Sequence, residues 1–71
     1  MNMVPVSSSN LASVGYDDSS KTLYVSFRNG RLYKYYAVPN SIYQGLMSAT
    51  SHGQYFDRYV VKGGYSYDPV S

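Results

Sequence analysis

Tyr24, Arg28, Lys34 and Tyr36 are the residues of this chain whose types could together hold a ligand. Aromatic rings stack on unpaired bases, and cations beside them meet phosphates, which is what an open sheet needs to bind single-stranded nucleic acid. The same side chains fit a protein partner or a seam between two copies of the chain, because tyrosine supplies contact area at low entropic cost. Tyr33 and Tyr35 are interleaved with them, and two readings of that pair stand open. They pack under the rest of the chain with their hydroxyls reaching polar partners at the rim, Ser8, Ser9 and Asp17 being the candidates, or they floor a ligand pocket.

Other chemistry finds little footing. His52 is the one histidine, and no nucleophile elbow of the form GxSxG occurs. Ser51-His52-Gly53 reads instead as the entry to a helix, so no catalytic residue is expected and the chain is read as a non-enzyme. One histidine, no cysteine and four scattered acids do not build a closed zinc site. Asp17 and Asp18 are neighbours and would point to opposite sides of a strand. Gly63-Gly64 is only a pair, not a phosphate-cradling loop. No metal and no cofactor are expected.

For Tyr24, Lys34 and Tyr36 to share a face, they must lie on paired strands. "LASVGYD", "TLYVSFR" and "RLYKYYAV" each read as strands, the second alternating Leu23, Val25 and Phe27 with Tyr24, Ser26 and Arg28. The "RNGR" stretch between the last two is a hairpin signal. A two-residue Asn29-Gly30 loop would place Lys34 on the apolar face. A three-residue Arg28–Gly30 loop, with Gly30 in the left-handed bulge position, pairs Val25 with Tyr33 and keeps Lys34 out. A one-residue slip reverses every side chain, so the second register is preferred. It sets Tyr24 opposite Lys34 and Tyr36 across from Thr22. A four-residue loop, Asp18 to Lys21, likewise pairs Asp17 with Thr22 and sends Ala12, Val14 and Tyr16 to the core face.

The period then changes. Ile42, Leu46 and Ala49 recur at helical spacing, with Pro39 as first helical residue or Ser41 as cap. Ser51 and Gln54 have capping-box spacing before the apolar stripe Phe56, Tyr59 and Val60, and Gly63-Gly64 ends that helix. "YSYDPV" is extended and could form a short fourth strand, closed by Pro69. The architecture expected is α+β: a three-stranded antiparallel meander, then two short helices packed on one face. One domain is expected over residues 6–67, with 1–5 and 68–71 as tails.

Taken in order, "VSSSNLASVGYD", "LYVSFRNGRLYKYYAVP" and "YQGLMSATSHGQYFDRYV" resemble the KTSC domain, named for the C-terminus of lysyl-tRNA synthetase. Its pattern falls here on Ser8 and Ser9, Gly15 to Asp17, Phe27 with Asn29-Gly30, Tyr33 and Tyr35, Val38-Pro39, and Ser51, Gly53, Tyr55 and Phe56. The resemblance spans nearly the whole chain and is closest to the members that stand alone in bacteria and phages. It implies contact with RNA, through the synthetase association, and implies no catalytic residue.

Composition sets the outer limits. With 71 residues there is room for one small domain, and without cysteine no disulfide or thiolate site can staple it. Ten of the residues are tyrosine, an unusual share for a chain this short. The N-terminal "MNMVPVSSSN" lacks the basic and apolar regions of a secretory signal, and no apolar run approaches the roughly 20 residues of a membrane span. A cytoplasmic place and no membrane partner are expected. The formal charge of +2 gives slight support to a polyanion. The function expected is RNA binding through Tyr24, Arg28, Lys34 and Tyr36. The alternative is a protein-interaction module using the same tyrosines, encoded by a phage or prophage and acting on a host protein, or homodimerising.

Overall fold

Alternating apolar and polar residues build a sheet with one apolar face, and two helices close it. The computed structural model describes residues 2–70. Its strands are β1 (Val4–Pro5), β2 (Leu11–Asp17), β3 (Thr22–Phe27), β4 (Leu32–Tyr35) and β5 (Tyr67–Pro69). They form one antiparallel sheet in the order β1-β2-β3-β4-β5. Between β4 and β5 come α1 (Asn40–Ser48) and α2 (His52–Tyr55), the latter running on into a π-helical turn, Phe56–Val61.

The Arg28–Gly30 loop fixes the register of the central hairpin. The Phe27 amide donates to the Arg31 carbonyl at 2.8 Å and the Gly30 amide to the Phe27 carbonyl at 3.0 Å. Gly30 has φ +90°, a conformation that a side chain disfavours. Val25 therefore faces Tyr33, Leu23 faces Tyr35 and Tyr24 faces Lys34, the register expected of the three-residue loop. At the other hairpin Asp17 faces Thr22, as a four-residue loop requires. The Asp17 carboxylate accepts from the Ser19 hydroxyl at 2.7 Å and the Ser19 amide at 3.1 Å, closing that turn.

The core is Leu11, Val14, Leu23, Val25, Tyr35, Val38, Leu46, Phe56 and Val60. Ala12 was expected on this face, but Leu11 takes the place. A register shift between Leu11 and Ser13 makes Ala12 the extra residue of a bulge, and Leu11 then pairs with Phe27. Pro39 is neither the first helical residue nor inside the helix. It holds the N-cap position with extended backbone (φ −62°, ψ 149°), and Asn40 begins α1. Ser41 is consequently helical and does not cap, and Ala49 is the C-terminal boundary. Ser51 does cap α2, its hydroxyl accepting from the Gln54 amide at 3.3 Å.

The π-helical turn is closed by the Lys62 amide donating to the Asp57 carbonyl, five residues back. A π turn has a different phase from an α turn. Phe56 and Val60 stay in the core, while Tyr59, expected beside them, is 45% exposed and packs on Tyr55 at 4.5 Å. The sheet also reaches into both presumed tails: Val4 pairs with Val14, and β5 adds its strand along β4.

Candidate functional site

β3, β4 and the residue just past β4 place Tyr24, Lys34 and Tyr36, three of the expected ligand-holding residues, on the face turned away from the helices. Tyr24 and Lys34 are direct cross-strand partners, and the Lys34 ammonium lies 5.6 Å from the centre of the Tyr36 ring. That is a cation–π distance. Arg28 is set apart from them. It lies past the end of β3, its amide donates to the Asn10 carbonyl at 3.0 Å, and its Nε donates to the Ser8 carbonyl. It ties the N-terminal loop to the central hairpin. Asp68, which sequence reasoning left in a tail, joins the face instead. β5 sets it opposite Lys34, and the Tyr36 hydroxyl donates to its carboxylate at 2.8 Å. Tyr24, Lys34, Tyr36 and Asp68 thus form a nearly neutral aromatic row.

On the helix side, Tyr33 and Tyr35 pack against neighbouring rings and also line a cleft. Tyr35 packs edge-on against Phe56 with ring centres 5.5 Å apart, and Tyr33 meets Phe27 edge-on at 5.7 Å. Both also floor a cleft of about 350 Å³, walled by Val61, Tyr65 and Tyr67, with Asn29 and Arg31 at its rim. Tyr67 tilts over Tyr35 at 5.3 Å and over Tyr33 at 6.0 Å. The polar partners expected for the two hydroxyls are engaged elsewhere: Asp17 in its turn, and Ser8 with Asn10 and the Leu11 amide. Burial raises the Tyr35 pKa above the ordinary phenol value, and the Tyr67 and Tyr33 phenols add to the shift.

A second depression, about 820 Å³, lies between the serine-rich loop of residues 7–10 and the start of α2. It brings Ser8 to Ser51 and Gly53, more than forty residues on in the sequence. Their work here is architectural. A side chain at Gly53 would press on the Asn10 amide oxygen at 2.7 Å, so glycine lets the loop close on the helix. His52 Nδ1 meets the Leu46 carbonyl at 2.8 Å, bracing α2 against α1. Among the described residues no group of three or more His, Cys, Asp or Glu side chains could hold a metal ion, and no helix is long and apolar enough to cross a membrane.

Sequence and fold both find relatives. A model of the KTSC domain matches residues 7–67. An uncharacterized protein of Stutzerimonas stutzeri is 40% identical over 67 residues, covering 94% of each chain. Lysine–tRNA ligases of Trichormus variabilis and of a Nostoc species are each 36% identical over 56 residues, 79% of this chain but only 10% of theirs. The crystal structure of a KTSC domain protein from Yersinia pestis superposes with a TM-score of 0.90 at 38% identity, covering 99% of this chain and 97% of that one.

Proposed function

The chain belongs to the KTSC domain family, and from that premise we propose that it is a non-enzymatic binding module that holds single-stranded RNA on the outer face of its sheet. One observation carries the reading: Tyr24, Lys34 and Tyr36 lie side by side on the face opposite the helices, two rings flanking a cation. Bases stack on the rings and one phosphate meets Lys34. The relation to a segment of lysine–tRNA ligases supports RNA as the partner class. With Asp68 beside Lys34, the face is selective for stacking more than for charge, so affinity is modest.

Asp68 is also the observation that favours the second reading, a protein partner. A row in which the Tyr36 hydroxyl and the Asp68 carboxylate already satisfy each other resembles the near-neutral centre of a protein contact. A titration separates the two. Adding an unstructured RNA oligonucleotide to the isotopically labelled chain should move the amide signals of Tyr24, Lys34 and Tyr36 together. If millimolar RNA leaves them in place, the RNA reading is overturned, and a bound partner that survives nuclease treatment would then establish the protein reading.

A further inference from the structure

We propose that the aromatic cleft between β4, β5 and the π-helical turn is a second site, which binds a nucleoside monophosphate with its base among the tyrosines and its phosphate on Arg31. The cleft lies on the opposite side of the sheet from the Tyr24 row, so the proposal does not rest on the sheet-face reading.

The Tyr35 hydroxyl is the main argument. Tyr35 is only 6% exposed, it lines the cleft, and among the described residues no hydrogen bond reaches its hydroxyl. Yet among the described residues no fully buried side-chain oxygen lacks a partner, so that hydroxyl keeps some accessible surface. An aliphatic or phenyl group filling the cleft would cut this hydroxyl off from water without replacing the hydrogen bond, which is costly. A nucleobase offers a flat aromatic face to Phe27, Tyr33 and Tyr67 and donors and acceptors along its edge.

Charge and size narrow the ligand further. Arg31 is the one charged residue lining the cleft, and among the described residues its guanidinium is in no ion pair. An arginine unopposed at an aromatic rim matches a phosphate. A volume of about 350 Å³ sits at the small end of ligand sites, roughly 300–1,000 Å³. That suits one nucleotide and not an extended chain. The unit comes either free or as the phosphorylated terminal nucleotide of an RNA strand.

The test titrates the labelled full chain with AMP, adenosine and inorganic phosphate separately. AMP should shift Tyr35, Val61 and Tyr67, and adenosine should bind there about tenfold more weakly, the worth of a charge-assisted phosphate contact. Arg31→Gln should erase the difference between AMP and adenosine. Tyr35→Phe, which keeps the packed ring, should weaken both severalfold, and Val61→Trp at the exposed mouth should block both. Tyr24→Ala and Lys34→Gln should leave AMP binding unchanged, which separates this site from the sheet face. A 5′-phosphorylated RNA that displaces AMP at lower concentration than AMP itself identifies a strand end as the source, and the reverse order identifies the free nucleotide. The proposal is overturned if millimolar AMP and adenosine move no cleft signal, if phosphate alone moves them as far as AMP does, or if Arg31→Gln keeps the AMP preference.

Discussion

Asp68→Asn should tighten RNA on the outer sheet face while Lys34→Gln loosens it, and the register allows both effects to be sized. Asp68 faces Lys34 directly across the β4–β5 pair, and residues so placed lie about 5 Å apart. A phosphate on Lys34 then sits on the order of 6 Å from the Asp68 carboxylate, where two unit charges in water repel by about 0.7 kcal/mol. Salt at physiological strength, with a Debye length of about 8 Å, roughly halves that. Removing the carboxylate's charge should therefore tighten binding a little under about twofold at that salt. Asparagine still accepts from the Tyr36 hydroxyl, so stability should stay within about 0.5 kcal/mol of wild type. Lys34→Gln removes the phosphate partner, and the plot of log affinity against log salt should flatten by about 0.7, the single-strand value for one phosphate. Fluorescence anisotropy of a labelled unstructured RNA, repeated across a KCl series, measures affinity and slope, with urea melts alongside. Wild-type affinity and slope in both variants would refute the placement of the phosphate. Loosening by Asp68→Asn would show that the carboxylate itself contacts the ligand.

Three further perturbations test the frame of these sites. Gly30→Ala meets nothing within 4 Å, so its cost is backbone strain alone, about 1–2 kcal/mol; Gly30→Asn should cost less, and equal urea midpoints for all three would contradict the left-handed turn. Gly63→Ala would overlap the Tyr59 carbonyl oxygen and crowd Tyr65, which backbone movement must relieve at about 1–3 kcal/mol; an unchanged midpoint would rule out that close approach. Alkaline pH should also weaken the fold through Tyr35. Its pKa is raised, by burial first and by the Tyr67 and Tyr33 phenols next, so its contribution is full below the ordinary value near 10 and is lost as pH rises through the folded value. Tyr35→Phe should flatten the alkaline limb of the stability profile, and an unaltered limb would place the sensitivity elsewhere.

The hairpins were legible because their information is local. Asn29-Gly30 has few turn geometries available, and keeping Lys34 off the apolar face selects one of them, which orients Tyr24, Tyr33, Lys34 and Tyr35 together. Asp68 was not legible for the opposite reason. β5 pairs with β4 only after a long helical excursion, and "YDP" carries no alternation strong enough to fix a partner or register. The whole outer wall of the aromatic cleft was hidden with it, since Tyr67 comes from β5 and Val61 from the π turn. A capping box and a stripe look the same in sequence whether the last turns are α or π, so the displacement of Tyr59 left no trace. The bulge at Ala12 was invisible too: "LASV" offers two apolar residues for one inward place, and only the larger, Leu11, fills it.

The ends of the sheet bear on how a second copy of the chain could add to it. Both edge strands are short and each contains a proline, Pro5 in β1 and Pro69 in β5. Proline has no amide hydrogen to offer a neighbouring strand, so edge-to-edge extension loses a ladder bond at either side. Self-association through a continuous sheet is therefore disfavoured, which leaves the outer face as the flat surface on which two copies could meet. The residues that would form such a seam are Tyr24, Lys34 and Tyr36, the same ones proposed to hold RNA. The two uses exclude each other, so a dimer built this way must dissociate as RNA binds. The aromatic cleft, on the helix side of β4, remains open in either state.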